Sequence, residues 1–382
     1  MGPLAGLKVV ELAGIGPGPF CAMMLADMGA TVLRIDRKGG GGAPIKLDHA
    51  KDVLNRGRQS VAMDLKHPEA VASVLDLCAS ADVLIEGFRP GVTERMGLGP
   101  GECLARNPKL VYGRMTGWGQ DGPLAKTAGH DINYIAISGA LHTFGRADER
   151  PSPPGNLVGD MGGGGLLLAF GILCAVFEAG RSGKGQVVDA AMVEGASLLN
   201  SSMFGLAAMG LWNWNRRGTN LSDTGAHFYE VYETKDGKYV AVGAIESQFY
   251  ALLLKGLGLD AAELPQQMDP KSWPAMKQRF ADIFRQKNRS EWDQIFGGTD
   301  ACVSPVLSPA EAIEHDHMKS RRAFVTQAGA AQPAPAPRFS RTPGVVSQPP
   351  PLPGAHTAQA LAAWGFSAER VKQLQQSGAI GS

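Results

Sequence analysis

This sequence predicts an α/β fold: a large layer built on a parallel sheet, then a smaller α+β region. Three patterns carry the prediction. Strand-like and helix-like stretches alternate through roughly the first 120 residues, as in an open α/β layer. The connections between successive strands contain helices, as in βαβ units with parallel strands. Beyond residue 228 the pattern changes to two alternating strands around an Asp-Gly turn, the signature of a hairpin.

The elements follow in order. Leu7-Lys8-Val9-Val10-Glu11-Leu12 reads as a strand, Ala13 to Pro19 as a Gly/Pro loop, and Phe20 to Met28 as a helix ended by Gly29. Thr31 to Asp36 is the second strand. Ser60 to Asp64, Pro68 to Cys78 and Asp82 to Glu86 repeat the unit, with Pro68 in the first turn of its helix. A helix around Cys103 and a strand from Leu110 to Met115 complete the layer. Gly162 to Gly180 is apolar and helical. Gln186 to Asp189 is extended, and Ala190 to Gly210 is expected as one long helix of small residues. The hairpin comprises Tyr229 to Thr234 and Tyr239 to Ala244. Helices follow at Ser247–Leu257, Trp273–Gln286 and Arg289–Phe296. Ala328 to Pro353, rich in Pro and Ala, reads as surface-wrapping chain, and His356 to Gly378 returns to helical periodicity.

Composition narrows the function. The 37 Lys and Arg nearly cancel the 36 Asp and Glu in these 382 residues, so neither nucleic acid nor an anionic membrane is expected as a partner. The N-terminus shows no export signal, and a cytoplasmic location is expected. Leu166 to Phe177 is too short to span a bilayer and reads as a buried core helix. Cys21, Cys78 and Cys174 sit among apolar neighbours and are expected in the core. No His/Cys cluster has metal-ligand spacing, and His315-Asp316-His317 reads as a solvated turn or helix.

Gly14-Ile15-Gly16-Pro17-Gly18 imitates a dinucleotide fingerprint between a strand and a helix. The third glycine is misplaced, and Pro17 and Pro19 remove two of the N–H groups that would meet a pyrophosphate. It reads as a tight turn that can still lie near a substrate. The stretch Gly129-His130-Asp131-Ile132-Asn133-Tyr134, with Asp160 thirty residues after His130 and four glycines at 162–165, holds the two proton-handling groups an enolising enzyme needs. Taken alone, each has a plainer reading. His130 is one of eight histidines, Asp160 and Asp131 suit helix caps, and Glu246 suits a solvated strand end.

The pieces VVELAGIGPGPF, RIDR, DVLIEGFRPGVTERMGLGP, RMTGWGQDGP, GHDINY, NLVGDMGGG, GKGQVVDAAMVEG and YVAVGAIESQFY together resemble the α-methylacyl-CoA racemases of the family III CoA-transferase superfamily, especially the bacterial ones. The similarity runs from about Leu4 to about Thr342. It implies a Rossmann-like large domain (1–188 and 325–382) that binds CoA, a linker helix region (189–221) and a small α+β domain (222–324). It also implies an interlocked homodimer and no metal or other cofactor, CoA being part of the substrate. The implied reaction is racemisation of 2-methylacyl-CoA thioesters by 1,1-proton transfer through an enolate. By motif, His130 and Asp160 are the two bases, and Glu246 is expected near the histidine from the partner chain. CoA-contacting positions map to Arg37, Met63, Asp64, Leu65, Lys66, Gly87, Phe88, Arg89, Arg95, Gly129, Asp131, Ile132, Asn133 and Tyr134. Gly162 to Gly165 are expected to admit the acyl group. The alternative within the superfamily is a CoA-transferase with Asp160 as nucleophile. Its members do not use a histidine at the 130 position, but the tail from His356 to Ile380 resembles one that they carry.

Overall fold

The structure, a computed structural model, describes residues 2–39 and 48–381. The chain divides into two compact units. The first comprises Met1–Ser138, Gly155–Leu199 and Lys319–Ser382; the second comprises Gly139–Pro154 and Asn200–Met318.

In the first unit, β1 (Lys8–Leu12) passes through a short loop into α1 (Pro17–Asp27) and returns as β2 (Thr31–Arg37). The repeat is β3 (Arg58–Met63), α2 (Pro68–Ser80) and β4 (Val83–Glu86). Short helices α3 (Val92–Arg95) and α4 (Pro100–Arg106) lead to β5 (Val111–Thr116). Then come α5 (Asp131–Ile137), a π-helical stretch Leu157–Leu166, α6 (Leu167–Ser182), β6 (Val187–Ala191) and α7 (Met192–Leu199). The six strands are parallel throughout, in the order β3-β2-β1-β4-β5-β6. The order reverses between β1 and β4, and in such sheets ligands bind outside the carboxyl ends of the strands at the reversal.

Alternation along the strands builds two cores, one on each face of the sheet. Val10, Leu33, Leu84 and Tyr112 face one way and pack with Val74 and Leu77 of α2. Val9, Val32, Val83 and Val111 face the other way, against Cys21 and Leu25 of α1 and Leu168 and Ile172 of α6. A sheet covered on both faces has strands apolar at nearly every position. Several of the exceptions are charged and paired. Glu11 on β1 is wholly buried and accepts from Arg58 Nε at 2.6 Å. Arg58 also donates to the Pro19 carbonyl, which ties the start of α1 to the sheet.

The longer segment of the second unit begins with α8 (Ser201–Ala208). Strands β7 (Tyr229–Glu233) and β8 (Tyr239–Gly243) form the expected hairpin around Asp236-Gly237, where Gly237 takes φ 70°. Helices α9 (Ser247–Leu257), α10 (Trp273–Phe284) and α11 (Arg289–Phe296) follow, and β9 (Val303–Pro305) pairs with β8. Residues 273, 276, 280 and 284 of α10 share one face and enter an aromatic core in which Tyr232 stacks on Phe284 at 5.0 Å. Next in the chain are α12 (Pro309–Glu314) and α13 (Asp316–Ser320). In the first unit again, β10 (Phe324–Gln327) pairs with β11 (Ala330–Pro333), and α14 (Thr357–Ala363) and α15 (Ala368–Gln376) follow. Ala360, Leu361, Trp364 and Leu374 complete the core on the α2 face. Ile380 pairs with Met63 at the sheet edge.

Several expectations are corrected. The long helix after residue 190 breaks at Asn200 into α7 and α8, where an Asn followed by two serines competes with the helical backbone bonds. The segment His356–Gly378 is two helices separated at Gly365, whose φ is 98°. Part of the Pro/Ala-rich stretch is strand β11. The apolar helix is longer than Leu166–Phe177. It runs unbroken over Leu157–Ser182, 26 residues, long and apolar enough by those measures to cross a membrane. It is also not fully buried. Leu168, Ile172 and Ala175 face the sheet, but Leu166, Phe170, Leu173 and Phe177 form a solvent-facing stripe, and Cys174 lies with them rather than in the core.

His227 lies in the aromatic core of the second unit, its Nε2 2.8 Å from the Tyr250 hydroxyl. Burial, with Lys277 adding to it, pushes its pKa down to about 4. A histidine depressed in this way contributes stability that is present above its unfolded pKa, about 6.5, and is lost as pH falls toward about 4. The melting temperature should therefore drop between pH 7 and pH 5, and His227→Gln should flatten that drop. Equal acid sensitivity in the two proteins, read by scanning calorimetry, would count against the assignment.

Candidate active site

The expected CoA-contacting segments lie along one edge of the sheet. Arg37 ends β2, Met63 ends β3 ahead of Asp64-Leu65-Lys66, and Gly87-Phe88-Arg89 follows β4. These are the carboxyl ends of parallel strands, so the segments emerge on the same side. Arg37, Arg89, Arg95 and Lys66 are exposed, and Asp64 and Leu65 are half-buried. Met63 differs: its side chain is wholly buried in the core and is not presented to a ligand. The loop after β4 is held by Glu86. This buried carboxylate accepts the Phe88 N–H at 2.7 Å and Arg114 Nε at 2.8 Å. Burial raises its pKa above the ordinary range despite Arg114. Arg114 also reaches Glu94 on α3, one residue before Arg95, at 2.8 Å.

His130 is the N-cap of α5, in extended backbone, with an exposed side chain. Its N–H donates to Asn133 Oδ1 at 3.0 Å, and its carbonyl accepts from the N–H groups of Asn133 and Tyr134. Tyr134 is buried. Its hydroxyl donates to the Gly129 carbonyl, and its ring meets Trp118 edge-on at 4.7 Å. Gly129 is required there, because a Cβ would fall 2.7 Å from Tyr134 Cε1. Asn133 and Tyr134 therefore shape the turn that presents the imidazole. Ile132 is half-exposed beside them.

Asp160 lies in the first turn of the π-helical stretch and is not its cap. Asn156 holds that position, and the Met161 N–H reaches back five residues to the Asn156 carbonyl at 3.2 Å. Such widened turns recur at functional sites. Asp131 does not cap α5 either. It is that helix's first residue, and its Oδ2 accepts the Asp160 backbone N–H at 2.7 Å. The structure thus brings His130, Asp131 and Asp160 together. Burial raises the Asp160 carboxyl above its ordinary pKa, and the Asp131 charge raises it further. A hydrogen bond from Asn156 and the charge of His130 pull the other way. Glu246 lies in the second unit, exposed at the N-cap of α9.

Some of the site was not singled out from the sequence. Gly16 has φ 67°, and a Cβ on it would sit 3.3 Å from Asp160 Oδ2, so the loop set aside as a false dinucleotide motif borders the carboxyl group. The glycines at 163–165 do not stand open for a ligand. A Cβ would fall 2.6 Å from the Ala196 backbone nitrogen at Gly163, 2.9 Å from the Gly159 carbonyl oxygen at Gly164 and 2.5 Å from the Pro17 carbonyl oxygen at Gly165. Gly163 lets the π-helical stretch pack against the backbone of α7, and Gly165 against that of α1. Among the described residues no group of three His, Cys, Asp or Glu side chains is placed to hold a metal ion.

A carboxyl raised by burial favours the fold while it is protonated, and it withdraws that contribution as pH rises through its folded pKa. Asp160→Asn should therefore melt above the wild-type protein at pH 7 to 8. The gap should close in acid near the ordinary carboxylate pKa, about 3.9. Melting curves across that range check this, and a pH-independent difference would contradict it.

Residues 4–357 match the family described as CoA-transferase family III. The chain is 52% identical to the α-methylacyl-CoA racemase of Mus musculus over 97% of this chain and 96% of that protein. It is 49% identical to the α-methylacyl-CoA racemase of Homo sapiens over 99% of this chain and 98% of that one. Among solved structures, a CAIB/BAIF family protein from Brucella suis superposes with a TM-score of 0.81 at 26% identity, covering 95% of this chain and 99% of the other. The sheet, the site at its carboxyl edge and these similarities agree, and the chain belongs to CoA-transferase family III.

Proposed function

We propose that this protein is an isomerase that racemises 2-methylacyl-CoA thioesters by moving the α-proton between His130 and Asp160 through an enolate. The near-full-length relatives named for that activity support it. The observation that carries the site assignment is the hydrogen bond that joins the Asp160 backbone to the first residue of the helix capped by His130. An imidazole, with an ordinary pKa of about 6.5, can take or give a proton at neutral pH. An ordinary aspartate, near 3.9, stays ionised there, so the upward push on Asp160 is what suits it to serve as the acid. In one direction neutral His130 removes the α-proton and protonated Asp160 returns one from the opposite face. The reverse direction starts from the opposite protonation states.

The enolate oxygen is assigned to the N–H groups of Asp131 and Ile132, which precede the first residues bonded back to the His130 carbonyl. Arg37, Arg89 and Arg95 are assigned to the phosphates of CoA by charge-assisted hydrogen bonds. Glu246, contributed by the partner chain, is assigned to orient the imidazole. Only a proton is exchanged at carbon and no electrons change hands, so the reaction calls for no redox group, and CoA is the substrate's handle. A homodimer with interlocked chains is part of this reading. The solvent-facing Leu166, Phe170 and Phe177 of the first unit, and Met209, Leu211 and Trp214 of the second, are apolar surface suited to a second copy.

In heavy water the enzyme should place deuterium at the α-carbon of a 2-methylacyl-CoA, and His130→Ala should slow this by at least about 100-fold. Wild-type exchange in that variant would remove the histidine from the mechanism. Transfer of CoA to an added carboxylate, with an acyl-enzyme trapped by hydroxylamine, would instead identify a transferase with Asp160 as nucleophile. Light scattering should give a mass twice the 40.2 kDa of one chain, and Phe170→Glu with Phe177→Glu should shift it toward the monomer. A monomeric wild-type protein would refute the dimer.

A further inference from the structure

The Asp131 side chain is buried at 7% exposure, and it is only half-satisfied. Its Oδ2 accepts the Asp160 N–H at 2.7 Å, whereas its Oδ1 is buried with no hydrogen-bond partner. Burying an unpaired carboxylate oxygen costs free energy that fold stability alone gives no reason to incur. An apolar residue at the first position of α5 would avoid that cost. Polar groups left in this state mark places where a chemical requirement overrides stability.

The approach that makes the hydrogen bond possible is itself built in. A Cβ on Gly159 would fall 2.5 Å from Asp131 Oδ2 and 2.8 Å from its Cγ, so any larger residue would push the carboxylate away. The backbone at Gly159 is not left-handed, so the need for glycine there is one of contact, not of conformation. Asp131 is also covalently next to His130. One residue therefore holds both proton-handling groups, His130 through the chain and Asp160 through a charge-assisted hydrogen bond.

We propose that the Asp131 carboxylate is a positioning residue: it clamps the Asp160 backbone to the first turn of α5 and so sets the gap between imidazole and carboxyl in which the reacting carbon must fit. This rests on the assignment of His130 and Asp160 as the two proton carriers. The negative charge of Asp131, which acts on Asp160 in the direction of protonation, adds to the geometric role.

The test compares wild type, His130→Ala, Asp131→Ala, Asp131→Asn and Gly159→Ala for kcat and KM of α-deuterium exchange on a 2-methylacyl-CoA, with melting curves to confirm folding. Displacing a reacting group by an ångström costs about 100-fold. Asp131→Ala and Gly159→Ala should each lose about that much in kcat with KM little changed. Asp131→Asn, which keeps an acceptor for the Asp160 N–H, should recover most of the loss. If Asp131→Ala does not fold, Gly159→Ala, which keeps Asp131 in the chain but displaces its carboxylate, decides. Wild-type kcat in Gly159→Ala and Asp131→Ala with His130→Ala inactive overturns the clamp and spares the reaction. A loss confined to KM, or no rescue by asparagine, overturns it as well. Wild-type exchange in His130→Ala overturns the assignment on which the clamp rests.

Discussion

Backbone-to-backbone contact at the glycine run is the constraint on which the site depends. Gly163 lies against the backbone of α7, and Gly165 against the backbone of α1 and the ring of Phe20. From the other side, a Cβ on Gly195 of α7 would fall 1.9 Å from the Gly163 carbonyl oxygen. This contact fixes the depth of the π-helical stretch, and hence the position of Asp160 three residues before Gly163. Steric exclusion of this kind is stiffer than a hydrogen bond, because close-packed backbone cannot yield by rotating a side chain.

The opposite end of the same geometry is anchored electrostatically. Arg58, buried and paired with Glu11, reaches the Pro19 carbonyl and steadies the start of α1, the helix against which Gly165 packs. Glu86 does similar work for the loop after β4. Both pairs lie inside a largely apolar sheet whose other buried polar positions include Arg34, Asp36 and Ser60. Removing either partner would leave a buried charge unpaired, which is far more damaging than never having had the pair. The scaffold thus holds its carboxyl edge with a few ionic contacts whose loss would be felt in its loops.

Much of the fold was legible because period-two and period-3.6 patterns in this chain are clean. The βαβ repeats, the Asp-Gly hairpin and the bounds of α9 and α11 all come from local periodicity. The break at Asn200 was missed because small residues on either side continue the helical pattern, and a polar kink leaves little trace in hydrophobicity. Cys174 was misplaced for a related reason: an apolar neighbourhood in sequence does not tell the buried stripe of α6 from the one left facing solvent. At the site, the residue types of the His130 and Asp160 motifs were readable. The uses of Gly16, Gly159 and the Asp131 side chain were not, since they arise from contacts between segments far apart in sequence. The close packing of glycines 163–165 is of the same kind and leaves no mark in the sequence pattern.

The two helices α14 and α15 fill the same core as β1, β2 and β3, although some three hundred residues of chain separate them from those strands. The α2 face of the sheet, covered in part by α2 and α4, therefore lacks its remaining cover until residues 356–380 have left the ribosome. During synthesis the second unit, whose own core is complete by about residue 305, can fold while the first is still waiting. The nascent chain therefore carries a partly covered apolar sheet face for most of its time on the ribosome.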